Sequence, residues 1–205
     1  SLSLEKKLTQ QASKGQRLTA QFSLNYERTF AEDHDLKALL LYELIDYDDS
    51  WITAQRTGFA TTSIPYLFAG GLQNQFADGR ASEMGRSSLI GRLNYAYRSK
   101  YLFEATVRYD GSAKFDKHSR WGVFPSVSAG WRISEEPFIK DNTSMIDNLK
   151  LRVGFSMTGY DGVANFDYLA GYVYGSSYII GSQAVQGLTA TGLANPMLSW
   201  EQMKI

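Results

Sequence analysis

Between Ser87 and Ile133 apolar and polar residues alternate through three successive segments, and no other feature of the chain restricts its fold as tightly. The first segment sets Leu89, Gly91, Leu93, Tyr95 and Tyr97 against Arg92, Asn94, Ala96 and Arg98. The second sets Tyr101, Phe103, Ala105, Val107 and Tyr109 against Glu104, Thr106, Arg108 and Asp110. The third sets Trp121, Val123, Pro125, Val127, Ala129 and Trp131 against Gly122, Phe124, Ser126, Ser128, Gly130 and Arg132. A period of two is the signature of strands with one dry and one wet face. Globular strands usually run about 5–6 residues, whereas membrane-spanning ones need about 9–11 at a steep tilt. These runs are of the longer kind.

The aromatic residues give a second ruler. Trp121 and Trp131 share a face, and at about 3.3 Å per residue and about 40° of tilt they stand roughly 25 Å apart along a membrane normal. Tyr101 and Tyr109 give roughly 20 Å by the same arithmetic. Outer-membrane barrels carry an apolar band of about 25 Å between two aromatic girdles, which these spacings fit. The expected fold is therefore all-β, an antiparallel up-and-down transmembrane β-barrel segment of about seven strands. A soluble β-sandwich acting as a carbohydrate-binding module also has a dry inner face and is the alternative; aromatic strand ends favour the barrel.

Composition removes several function classes. The 205 residues carry 21 basic and 21 acidic side chains, so no electrostatic footprint for nucleic acid exists. Without Cys there is no disulfide, thiol nucleophile or thiolate metal site. No run of about 18 apolar residues suggests a transmembrane helix. His34, in a turn, and His118, in a charged loop, read as solvated. Glu43, Glu104 and Asp110 read as lumen-lining carboxylates, and the glycines of TGYDG and GLTATG lack the lysine of a phosphate loop. No catalytic centre, cofactor or metal site is expected.

In chain order, residues 1–16 read as the end of an earlier strand and a loop, and Arg17 to Phe30 as a strand closed by the acidic turn Glu32–Asp35. Leu36 to Tyr47 reads as the next strand, although LKALLLYELI also has the composition of a helix. Asp46, Asp48 and Asp49 read as a solvated loop entry rather than a calcium site, because the spacing and glycine of an EF-hand are missing. Residues 49–86 are expected to form one long extracellular loop. Its aromatics Trp51, Phe59, Tyr66 and Phe68 are the candidate ligand contacts.

Arg98, Ser99 and Lys100 form a tight turn, and Gly111 to Arg120 a longer polar connection. Ser134 caps a short helical turn limited by Pro137, followed by a linker with Phe138, Ile139, Met145 and Ile146 as apolar anchors. Leu149 to Thr158 is a further strand, and a short pair is expected near Tyr168 to Tyr174 and Ser177 to Gly181. Short connections lie on the periplasmic side of bacterial barrels and long ones outside. That rule puts Phe30, Tyr97, Tyr101 and Trp131 in the periplasmic girdle and Tyr109 and Trp121 in the outer one.

The blocks GRLNYAYRSKYLFEATVRYDGSAKF, RWGVFPSVSAGWRISEEPF, IDNLKLRVGFSMTG and NPMLSWEQ, in this order, resemble the SusC/RagA family of TonB-dependent outer-membrane transporters. One position departs from that pattern: Tyr160, not Asn, follows Gly159. The resemblance implies a barrel of about 22 strands with a plugged lumen. It further implies energised uptake of oligosaccharides or peptides across the bacterial outer membrane, with a SusD-like surface lipoprotein and the TonB complex as partners. On this reading residues 1–205 are a middle to late part of one barrel domain embedded in the lipid bilayer. The plug that contacts TonB, and the remaining strands, are absent from the sequence.

Overall fold

The structure, a computed structural model, describes residues 6–142 and 145–205. Strands β1 (Lys7–Phe30), β2 (His34–Thr57), β3 (Phe76–Tyr97), β4 (Tyr101–Ser112), β5 (Trp121–Arg132) and β6 (Lys150–Tyr160) follow one another along the chain. They are succeeded by β7 (Tyr172–Ile180), β8 (Gln183–Ala190) and β9 (Glu201–Lys204). The only α-helix among the described residues is α1 (Pro137–Lys140). Sheet order is β1-β2-β3-β4-β5-β6-β9, with β7-β8 as a separate two-stranded sheet.

The chain divides into two compact units. One holds the chain up to Leu18 together with Asp46–Met84; the other holds Thr19–Ile45 and Gly85–Ile205. In the second unit the alternation foreseen between Ser87 and Ile133 is kept without a slip. Tyr97 lies opposite Tyr101, Tyr101 opposite Trp131, and Trp131 opposite Leu151. Leu93, Ala105, Val127 and Phe155 form another such row. The intervening rows are polar, with Arg92 opposite Thr106, Ser126 and Ser156, and Asn94 opposite Glu104 and Ser128. A shift of one residue anywhere would put arginines on the apolar face, which is why the register is so strictly specified.

Among the described residues the apolar face has no second protein layer. Leu93, Phe103, Val107, Val127 and Phe155 are all exposed, and the buried hydrophobic residues are Ile45, Ile90, Phe115 and Phe124. A β-sandwich places its dry face against a facing sheet. Here that face is open, so the sandwich alternative fails.

Several boundaries differ from expectation. β1 starts at Lys7, ten residues before Arg17, because Gln10, Gln11 and Ser13 carry no apolar period yet still join the ladder. The stretch LKALLLYELI is strand: Leu40, Tyr42 and Leu44 are exposed on one side and Ile45 is buried on the other, and sheet pairing overrides helix propensity. The expected loop 49–86 is strand at both ends, leaving 58–75 as the connection and placing Asp46, Asp48, Asp49 and Trp51 inside β2. Polar side chains on both faces of Asp78–Met84 hide that part of β3 from a periodicity argument. The late strand pair turns at Gly181, whose φ is +67°, rather than before Ser177. Ile133–Glu135 forms a 3-10 turn before α1, and the expected apolar anchors Phe138 and Met145 are exposed to solvent. Thr143 and Ser144 of that linker lie outside the described residues.

Candidate ligand-contact loop and membrane girdle

The connection 58–75 begins where β2 ends at Thr57 and is pinned to that strand by backbone. The Gly71 N–H donates to the Thr57 carbonyl (2.9 Å), and Arg56 Nη1 to the Gly70 carbonyl (3.4 Å). Gly70 is buried, and a Cβ there would lie 2.8 Å from Arg56 Cβ and 2.9 Å from the Phe59 ring, so only glycine permits this approach. The pinned loop then makes a 3-10 turn at Leu67–Ala69. Tyr66 and Phe68 flank the start of that turn and stack, with ring centroids 5.8 Å apart and planes 11° from parallel. Both rings are exposed, Phe68 at 75%.

Of the four predicted contacts, the structure therefore brings Tyr66 and Phe68 together. Phe59 is half-buried and lines a cleft with Lys6, Lys7, Thr61, Thr62, Ile64 and Pro65. Trp51 is half-buried within β2 and belongs to the strand. No Asp, Glu, Lys or Arg occurs between Arg56 and Asp78. Chemically the loop offers aromatic faces with Thr, Ser, Gln and Asn around them, a surface suited to stacking and neutral hydrogen bonds. Among the described residues no three His, Asp or Glu side chains gather as a metal site.

The residues expected to form girdles occupy the two ends of the apolar face. Toward the Ser112–Trp121 end, Tyr109 stacks on Trp121 at 4.7 Å. At the tight-turn end Tyr97 stacks on Tyr101 at 6.3 Å. There Glu136, missed by sequence reasoning, acts as a clamp. Its Oε1 accepts from the Tyr101 hydroxyl (2.7 Å) and the Trp131 indole N–H (3.1 Å), and its Oε2 faces Lys100 Nζ at 3.5 Å. Those bonds from Tyr101 and Trp131, with the Lys100 charge, hold the Glu136 carboxyl below the usual carboxylate range. The local order follows from the 3-10 turn at Ile133–Glu135, which folds Glu136 back on β4 and β5.

His34 also differs from expectation. It is not a solvated turn residue: it opens β2, stacks on Phe30 at 5.2 Å, lies 4.9 Å from the Tyr97 ring, and its Nδ1 is 2.7 Å from the Tyr95 hydroxyl. The turns beside it use left-handed backbone at Ala31 and Glu32 and again at Arg98 and Ser99. They are joined by the Arg98–Asp33 ion pair at 2.8 Å. Two successive left-handed residues are the primed-turn conformation, whose twist matches that of the strands it joins.

The polar face opposite the girdles carries a shallow cleft with Asp35, Lys37, Asn94, Glu104, Ser128 and Arg152 among its lining residues. Charges of both signs on this face fit a water-facing lumen. Where β4 and β6 end, Asp161 is buried and accepts from Arg86 Nη2 at 2.6 Å and from the Ser112 hydroxyl at 2.8 Å. Burial raises the Asp161 carboxyl, but the hydrogen bonds from Arg86 and Ser112 and the nearby positive charges outweigh it and leave it below its ordinary value.

No family profile matches the chain. It is 47% identical over 49 residues to the TonB-dependent receptor SusC of Bacteroides thetaiotaomicron, covering 24% of this chain and 5% of the relative. It is 32% identical over 82 residues to the TonB-dependent receptor P39 of Formosa agariphila, covering 40% of this chain and 7% of the relative. Its fold superposes on a chain of the RagAB peptide transporter with a TM-score of 0.87 and 26% identity, over 96% of this chain and 21% of that one. A chain of the RagAB peptide importer in its open-open state matches equally well, over 97% of this chain. The described chain thus spans about a fifth of the length of the solved structures it matches. Long antiparallel strands, an open apolar face with aromatic residues at both ends, and these likenesses have one source: the chain belongs to the SusC/RagA-type TonB-dependent receptors of the outer membrane, as a portion of their β-barrel wall.

Proposed function

We propose that the receptor containing this chain imports oligosaccharides or peptides across the outer membrane, driven by the TonB complex and capped by a SusD-like surface lipoprotein. Its apolar face meets lipid, its polar face lines the lumen, and the 58–75 connection faces outward to meet ligand. The observation that carries this reading is the exposed Tyr66–Phe68 stack in a loop without charge. Two parallel aromatic planes suit the apolar face of a sugar ring or a peptide side chain, and the neighbouring amides and hydroxyls suit their polar edges. Likeness to a peptide transporter supports the peptide option, and the uncharged, amide-rich loop supports the glycan option.

The test is the double substitution Tyr66→Ala and Phe68→Ala in the full-length receptor. Stacking on an aromatic pair is worth about 0.5–1.5 kcal/mol beyond its area, so affinity is expected to fall about tenfold. Heat-modifiable migration on gels, the mark of an intact barrel, is expected to persist. Unchanged affinity for the imported ligand removes these residues from the contact surface.

A further inference from the structure

Between Asp161 and Trp200 the chain leaves the main sheet and returns to it. β6 and β9 pair up to Tyr160 opposite Glu201, so residues 161–200 form one long excursion closed at its base. The excursion contains the β7–β8 hairpin, which pairs only with itself. An isolated two-stranded hairpin is marginal in water. This one is also uncharged, since no Asp, Glu, Lys or Arg lies between Asp167 and Glu201. Ladder pairing tethers the ends of the excursion but leaves open the direction in which it departs.

Each end of the excursion carries one anchoring residue: Asp161 bonds to β3, to the end of β4 and to the connection after it, and Trp200 bonds to that connection and packs on β5. At the departing end Asp161 accepts from Arg86 Nη2 and from the Ser112 hydroxyl, while its backbone carbonyl accepts from Lys114 Nζ at 3.1 Å. At the returning end the Trp200 indole N–H donates to the Arg120 carbonyl at 2.9 Å. The Trp200 ring packs 5.4 Å from Phe115 and edge-on to Phe124 at 5.2 Å. Phe115 and Ser112 have no exposed surface, so the anchor on the β4–β5 side is fixed. Charge-assisted hydrogen bonds to a buried carboxylate are the strong kind, and the low dielectric around Asp161 leaves them little screened.

We propose that Asp161 and Trp200 are positioning residues, the two roots by which β3, the end of β4 and the β4–β5 connection hold residues 162–199 as an oriented arm and order its β7–β8 hairpin. Neither root touches ligand. Cutting a root frees the arm while the wall, held by the β3–β6 ladders, stays closed.

Hydrogen–deuterium exchange of the full-length receptor in detergent, without ligand, tests this directly. Asp161→Asn is expected to speed exchange of amides 172–190 about tenfold while β4 and β5 keep their protection, because local opening separates from global opening. Asp161→Glu is expected to restore part of the protection. Trp200→Phe, which keeps the ring and removes the N–H, is expected to give a smaller rise in the same amides, and Leu193→Ser, at an exposed position away from both roots, none. Hairpin exchange within twofold of the parent in both Asp161→Asn and Trp200→Phe overturns the proposal. So does an equal rise in the hairpin and in β4 and β5, which would mean general loosening. If Asp161→Asn does not assemble, Arg86→Lys and Trp200→Phe carry the same two outcomes.

Discussion

Glu136 shows how much one side chain can organise at the end of a membrane strand. It touches Tyr101 and Trp131 on one oxygen and Lys100 on the other, so a carboxylate ties together two aromatic side chains at one end of the apolar face. The sign of its pH dependence follows from its depressed carboxyl. A group whose folded value lies below its unfolded one contributes stability above the unfolded value, near 4.5 here, and loses that contribution as pH falls through the folded value. Trp131 emission in the full-length receptor should therefore shift only below about pH 4.5. Glu136→Gln, which keeps an acceptor and removes the charge, should abolish that pH response while leaving the barrel assembled. A shift that persists in Glu136→Gln assigns the titration to another group.

At the scale of the element, each of β4, β5 and β6 carries one apolar face and one more polar face, which the proposed function assigns to lipid and lumen and which a charge can tell apart. Val127 sits mid-strand in the apolar row with Leu93, Ala105 and Phe155, whereas Ser126 lies beside it in the polar row with Arg92 and Thr106. Val127→Arg is expected to lower stability by about 2–4 kcal/mol in urea titrations in lipid, and Ser126→Arg by little, because only the first puts a charge among acyl chains. Equal costs would contradict the assignment of faces. These same strands were legible in the sequence because burial on one side and water on the other impose a period of two over ten residues or more. Legibility ends where that contrast ends. Asp78–Met84 and Gln10–Ser13 are strand without an apolar period, so they read as loop, and Gln183–Ala190 has apolar side chains on both faces of an uncovered hairpin. Of the proposed contact surface, Tyr66 and Phe68 are legible as candidates because exposed aromatics in a long connection stand out. Glu136, Asp161 and Trp200 were missed because, apart from Trp131 five residues before Glu136, their hydrogen-bond partners are 35 or more residues away, and sequence spacing holds no record of such contacts.

For the molecule as a whole, surface area states what the strands imply. The chain of 23.0 kDa exposes 15266 Å², whereas a self-contained folded monomer of that mass exposes about 9,600 Å². The excess lies in side chains such as Phe103, Val127, Val153 and Phe155, which are apolar, exposed and aligned on one face of the sheet. β1 and β9 add open backbone, since each has a neighbour on one side only. In the full barrel lipid covers the face and further strands cover the edges. Taken alone in buffer, the chain has neither, and large exposed apolar patches together with open edges drive association. Size-exclusion chromatography with light scattering is therefore expected to find the isolated chain in large assemblies without detergent, and smaller protein–detergent complexes in a mild maltoside. A stable 23.0 kDa monomer in buffer would require this apolar face to be hidden by a rearranged fold, and would remove the wall assignment along with the predictions for Val127 and Glu136.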